Sequence, residues 1–404
     1  MTDTPELLSP AGDRECLEAA VDFGCDAVYV GGTNFGMRAG PKNFDMRGLA
    51  DAVEYAHAGG SKVSLTCNTV PTNDEAADYP RFIAEARDTG IDAVIIADIG
   101  VMSMTKKYAP GLDIHMSTQV GIMNYETANA LYRLGAKRVV LAREVSLAEI
   151  VKIRKNISPD MDIEVFAHGA MCVSFSGRCL LSKYLTGRDA NRGACAQPCR
   201  WKYFLTEETR PGEQYEITED DRGTYILNAR DLCMIDHIPD LLEAGVSSLK
   251  IEGRAKSAYY SAVVTNAYKK AIEYAMKGEK LPEEISSEVF KVSHRPYCTG
   301  FFYEYSDAEQ YYPSSGYFRD YEFVGTVDKW ENGMLHITQR NYFTLDNTLE
   351  ILPPKGEPSV FRPTEMFNAE GMSVNVANHA MEKLTLPCPV EYPPKSIIRI
   401  EKKK

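Results

Sequence analysis

Five of the ten cysteines in this 404-residue chain, Cys172, Cys179, Cys195, Cys199 and Cys233, fall within 62 residues of its middle third. Thiols gathered in this way could do chemistry. In a reducing compartment such a cluster points to metal binding or catalysis rather than to disulfides. The other five, Cys16, Cys25, Cys67, Cys298 and Cys388, are scattered and are expected to be small core residues. Within the cluster the spacings are irregular: six residues lie between Cys172 and Cys179, fifteen before Cys195 and three before Cys199. Zinc sites favour paired CxxC ligands, which this pattern is not. Cys172 or Cys179 with His168 would make a nucleophile–base pair, but that leaves Cys195 and Cys233 without a role. Four thiolates drawn from one flexible excursion can cage an iron–sulfur cluster, which tolerates irregular spacing.

The thiols lie in a basic setting. From Cys172 to Phe204 there are six cationic side chains, Arg178, Lys183, Arg188, Arg192, Arg200 and Lys202, and one acid, Asp189. That segment carries +5 while the rest of the chain carries −17, for a net charge of −12. An acidic protein of this kind does not coat nucleic acid non-specifically, yet a local basic surface can meet phosphates or a small polyanion. The apolar fraction of 44% and charged fraction of 25% are those of a globular protein. No stretch approaches the run of apolar residues a membrane helix needs. The start, Met1 to Glu6, is acidic and lacks the basic and apolar regions of a secretory signal, so a cytoplasmic protein is expected.

The elements that must position these residues repeat one pattern over the first 280 residues. A glycine closes a helix and a short β-branched run follows: Gly24 before Ala27-Val28-Tyr29-Val30, then Gly60, Gly90, Gly135 and finally Gly245 before Leu249-Lys250-Ile251. Helices with caps at Asp13, Asn73 and Ser146 are predicted between the runs. Adding Glu6-Leu7-Leu8, Asp113-Ile114-His115 and Ile163 to Phe166 gives eight strands, hence an α/β TIM-like (β/α)8 barrel; a doubly wound sheet is the alternative. Barrel sites sit at the C-terminal ends of the strands. Asn68, Asp98, His115, Ser117, Gln119, Arg143, His168, Glu252 and Arg254 follow six successive strands there and predict a polar mouth. All five clustered cysteines fall in the long connection from strand seven to strand eight, about 167–245. Beyond the barrel (1–280), residues 281–322 are expected to be a linker or strap, and 323–404 a small all-β barrel domain.

The stretch Glu164 to Ser182, EVFAHGAMCVSFSGRCLLS, resembles the signature of the collagenase-like peptidase U32 family. Asn191 to Arg200, Leu249 to Arg254 and His115 to Gln119 resemble it too, so the likeness spans the barrel. Better-understood members are iron–sulfur proteins of hydroxylation acting on tRNA, ribosomal RNA or ubiquinone precursors. By that similarity Cys172, Cys179, Cys195 and Cys233 would be ligands of a cluster, expected to be 4Fe-4S, with Cys199 an alternative. The C-terminal domain and Arg230-Asp231-Leu232-Cys233 look most like the tRNA-hydroxylating branch. That branch makes 5-hydroxyuridine at the wobble position, with prephenate as hydroxyl donor. The resemblance implies tRNA, through its anticodon stem-loop, as partner. Arg143, Arg192 and Arg254 are candidates to hold carboxylates or phosphate, Asn68 and Gln119 to line the substrate site. His115, His168 and Glu252 are candidates to move protons. The rivals are a peptidase, as the family's title says, and a non-catalytic partner or scaffold of a second family member.

Overall fold

In a computed structural model, the described residues are 4–37, 42–171, 179–188, 190, 194–198, 230–303 and 317–402, with four two-residue strand fragments between 205 and 224. Seven parallel strands come first: β1 (Glu6–Pro10), β2 (Ala27–Gly31), β3 (Lys62–Cys67), β4 (Ala93–Ile96), β5 (Asp113–Met116), β6 (Arg138–Val140) and β7 (Asp162–Ala170). β8 (Asp231–Cys233) returns antiparallel beside the end of β7. β9 (Ser248–Ile251) is parallel to both β7 and β1 and closes the eight-stranded barrel. The doubly wound alternative is thereby excluded. β10 (Tyr297–Cys298), within the stretch expected to be a linker, adds a further strand beside β8.

Helices α1 (Arg14–Asp22), α2 (Met46–Ala58), α3 (Asn73–Asp88), α4 (Ile99–Tyr108), α5 (Tyr125–Leu134) and α6 (Leu147–Asn156) alternate with these strands. α7 (Leu181–Thr186) lies in the long connection, and α8 (Ile238–Glu243) and α9 (Ala258–Lys277) follow. Asp13 and Ser146 cap as expected. The cap of α3 is Thr72 rather than Asn73, because Thr72 and Glu75 form a reciprocal capping box. Asp98 accepts from the amide of Val101 at the start of α4, so its carboxylate is used as a cap. The five strand-preceding glycines all have φ between 82° and 105°, where a Cβ would be strained.

Successive strand residues face opposite sides of the barrel wall. Leu7, Val28, Val94 and Ile96 join the continuous core beneath the helices. Their neighbours Leu8, Ala27, Tyr29 and Ile95 form a separate small cluster on the axis. The rest of the axis is charged. Arg138 on β6 bonds Glu6 on β1, a strand that is not its neighbour, so this pair crosses the interior.

The C-terminal domain begins at Tyr321, two residues ahead of expectation. It is an antiparallel six-stranded half-barrel made of Tyr321–Glu331, Met334–Gln339, Leu349–Leu352, Ser359–Phe361, Lys383–Pro387 and Ile397–Glu401. It is pinned to the barrel side by Arg399, fully buried, whose guanidinium meets Glu288 at 2.7 Å and also Glu350. Leu352 and Ile397 enter the barrel's own apolar core. Among the described residues, no helix is long and apolar enough to cross a membrane.

Candidate active site at the barrel mouth

β7 runs past the rim of the barrel, and its last residues pair with β8 so that Cys233 stands opposite His168. His168 is buried among Tyr260, Tyr268 and Tyr297. Its Nδ1 lies 3.3 Å from the Tyr268 hydroxyl and its Nε2 3.4 Å from the Tyr297 hydroxyl. Those hydroxyls donate to the Ala167 and Val289 carbonyls, both at 2.8 Å. Burial, helped by the neighbouring His294 and Lys256, pushes His168 down to about 3. The imidazole is therefore neutral, and because both hydroxyl protons go to carbonyls, its single N–H donates to only one of the two tyrosine oxygens. Cys233 is half-buried, with Sγ 3.8 Å from the Tyr268 hydroxyl. Burial pushes its thiol up to about 12, the reverse of an activated nucleophile.

The mouth itself is organised by two guanidinium groups. Arg254, after β9, is buried and reaches Thr66 on β3, its Nη1 donating to Oγ1 at 2.7 Å. Its path crosses β1 and β2, and Gly31 at the end of β2 makes room. A Cβ there would stand 2.4 Å from Arg254 Nη1 and 2.7 Å from Asn43 Oδ1. Arg143, after β6, lies 3.7 Å over the ring of Phe166. The two arginines therefore approach from different sides of the barrel. Beneath Phe166 sits Lys250, its Nζ 4.6 Å over the Tyr29 ring.

Glu252 is half-buried at the rim, where its backbone amide donates to His168 O at 2.8 Å. Gly169, at φ 105°, lets that backbone pass; a Cβ there would come within 2.4 Å of Glu252 O. Asn68 holds the loop after β2 by accepting from the Met37 amide at 3.1 Å. Gln119 sits in a 3-10 turn, its Oε1 accepting from the Ser117 hydroxyl at 3.2 Å.

His115 lies inside the barrel, on β5, rather than at the mouth with Arg254. Among the described residues its Nδ1 has no hydrogen-bond partner, and burial together with Arg138 pushes it down to about 3. It belongs to an axial charge cluster that strand-end reasoning missed. There Glu164 accepts from Lys250 at 2.8 Å and from Arg138 at 3.1 Å, and these cations hold its carboxyl at about 2 against the cost of burial. The signal was available: charged residues alternate with apolar ones inside Glu164-Val165-Phe166 and Leu249-Lys250-Ile251.

Of the clustered cysteines, Cys179 and Cys195 are half-buried and Cys172 and Cys199 lie outside the described residues, as does Arg192. Ser182 Oγ accepts from the Ala196 amide at 3.0 Å and so ties the Cys179 side of the excursion to the Cys195 side. The Gln197 amide donates to Cys195 Sγ at 3.3 Å. Cys298, expected to be a core residue, is instead half-buried and lines a cavity of about 280 Å³ together with Cys233, Arg230 and Asp236. Among the described residues, no three histidine, cysteine or acidic groups stand together as a metal site.

Residues 12–311 match Peptidase family U32, and residues 319–399 match the Peptidase family U32 C-terminal domain. The chain is 34% identical to tRNA hydroxylation protein P1 of Bacillus subtilis (strain 168), covering 95% of this chain and 91% of that one. It is 44% identical to an uncharacterized protease of Methanocaldococcus jannaschii over 74% of this chain and 73% of that one. A 23S rRNA 5-hydroxycytidine synthase of Escherichia coli (strain K12) is 38% identical over 66% of this chain and 39% of its own.

Proposed function

The chain belongs to peptidase family U32, and on that premise we propose that it is an RNA-modifying hydroxylase that forms 5-hydroxyuridine at the wobble position of tRNA. Relatives named for tRNA and ribosomal RNA hydroxylation support the reaction class. The observation that carries the reading onto this chain is the mouth, where Arg254 and Arg143 are each seated in place, beside the strand that bears Cys233.

Guanidinium forks match carboxylates and phosphates, so this pair would hold the two carboxylates of prephenate, the proposed hydroxyl donor. Asn68 and Gln119 would bind the rest of that molecule. Exchanging the C5–H bond of uridine for C5–OH is a two-electron oxidation in which the donor's C–O bond would break and the donor fragment would take the electron pair. The Glu252 carboxylate at the rim is the candidate to carry the C5 proton to that fragment. His168, fixed as a neutral imidazole, would orient the Cys233 strand rather than relay protons. His115 would act from below through the axial cluster, not by touching substrate.

The donor chemistry fits an iron–sulfur cluster: Cys179, Cys195 and Cys233 are half-buried thiols outside any disulfide, and Cys195 receives an N–H···S bond. These three, with Cys172 or Cys199 as the fourth, would hold it. Bound there, the cluster supplies one-electron redox chemistry beside the mouth.

The test is mass spectrometry of tRNA nucleosides from cells lacking the gene. The wild-type gene is expected to restore 5-hydroxyuridine, and Arg254→Ala is expected not to. Gelatin cleavage by purified protein that survives loss of Cys195 and Cys233 would instead make the chain a peptidase. Modification lost in cells with no activity of the pure protein would make it the partner of a second family member.

A further inference from the structure

α7 is built inside out. Of its six residues only Ser182 is fully buried, whereas Leu181, Tyr184, Leu185 and the preceding Leu180 face solvent, Tyr184 at 80% exposure. An amphipathic helix does the opposite, turning its apolar stripe inward. Six residues are also too few to hold a helix in water by backbone bonding alone. Polar pins do the holding. Ser182 Oγ accepts from the Ala196 amide at 3.0 Å, the Thr186 hydroxyl donates to Ser182 O at 2.7 Å, and Gly187, at φ 72°, closes the helix. The polar contacts are spent inward and the hydrocarbon is left outward, which marks a surface that something covers.

Charge identifies the occupant. α7 lies in the +5 segment of a chain otherwise at −17, so a polyanion is steered to this segment and repelled elsewhere. Lys183 and Arg188 are exposed in sequence on either side of Tyr184. A protein partner would cover the leucines but gives no use to two cations framing a tyrosine. An RNA loop uses both, since its unstacked bases lie on aromatic and apolar side chains while its phosphates take the cations. We propose that α7 is a base-stacking platform, on which one unpaired base of an RNA loop rests against Tyr184, flanked by Leu181 and Leu185, with Lys183 and Arg188 on the adjoining phosphates. Ser182 ties this platform to the backbone next to Cys195, so a docked loop is delivered beside the thiols. The inference rests on the RNA reading above and names its contact surface.

The test is a binding titration with full-length, anaerobically purified protein against two RNAs: an anticodon-type hairpin with an unpaired loop, and a blunt duplex of matched composition. Wild type is expected to prefer the hairpin. Tyr184→Ala is expected to weaken hairpin binding roughly tenfold, leaving duplex binding unchanged, and Tyr184→Phe to keep wild-type affinity, because stacking needs the ring and not the hydroxyl. Tyr184 is exposed, so circular dichroism of the variants should match wild type. Hairpin binding insensitive to Tyr184→Ala overturns the platform alone, as does a wild-type dimer that this substitution dissociates, since a second copy then covers α7. Wild type that binds neither RNA removes the RNA reading, and the platform with it.

Discussion

Arg254 and Gly31 illustrate how a single missing methyl sets a functional geometry. The guanidinium lies where a Cβ on residue 31 would sit, 2.4 Å from Nη1, and it is held there by Thr66. Gly31→Ala is expected to push Arg254 off Thr66 while the strand stays paired. Turnover should fall toward that of Arg254→Ala with the thermal midpoint little changed; paired activity and unfolding measurements check this. Glu164 makes the contrasting case. It is fully buried and bound by Lys250 and Arg138; Glu164→Gln strands Lys250 inside the barrel, while Arg138 keeps Glu6. Breaking a buried pair in this way costs about 3–5 kcal/mol, and urea unfolding should show a loss of that size. His115 and Glu164 also predict an acid limb. Both groups titrate lower in the folded chain, His115 about 3 against 6.5 and Glu164 about 2 against 4.5. Their stabilisation is complete above the unfolded values and lost as pH falls toward the folded ones. Stability should therefore decline from about pH 6.5 downward, more steeply below about pH 4.5, and His115→Asn should flatten the upper part of that decline.

At the scale of elements, the barrel was legible because glycine caps and β-branched runs repeat, and because buried parallel strands must be short and apolar. Strand ends were legible for the same reason: Arg143 follows β6, and Glu252 and Arg254 follow β9, whereas His168 lies buried within β7. His115 was misplaced because its strand runs on to Met116, leaving its side chain within the barrel. The return of β8 against β7, and the addition of β10, were not legible: strands of two and three residues carry no periodicity, and their pairing is long-range. That pairing puts Cys298 beside the Cys233 cavity, a proximity no spacing rule shows. Ser182 is the element-scale hinge of the thiol excursion. Ser182→Ala removes the acceptor for the half-buried Ala196 amide and loosens the tie between the two sides of the excursion. The expected outcome is faster proteolytic nicking between Cys179 and Cys195, with the barrel's melting point unchanged.

For the whole molecule, the C-terminal half-barrel is a fixture of the barrel rather than a tethered module. Arg399 at zero exposure is shared by Glu288 before β10 and Glu350 within the domain, and Lys395 reaches Asp22 on α1 at 2.8 Å. Arg399→Met would leave two carboxylates facing an apolar side chain. It is expected to split one unfolding transition into two, visible by calorimetry. Sequence composition separated this domain from the barrel but could not show its attachment, since the ion pairs join residues more than 100 positions apart. The acidic body, the basic excursion and the polar mouth fit the proposed arrangement, in which the chain would repel RNA over most of its surface and receive it beside its thiols. That arrangement stands or falls on the thiols binding iron. The most direct measurement is iron and acid-labile sulfide content after anaerobic purification, for wild type and for Cys233→Ser. The account predicts a brown wild-type protein with iron and sulfide in equal amounts, and a folded variant that has lost most of both. A colourless, iron-free wild type, folded and still able to hydroxylate tRNA, would contradict it.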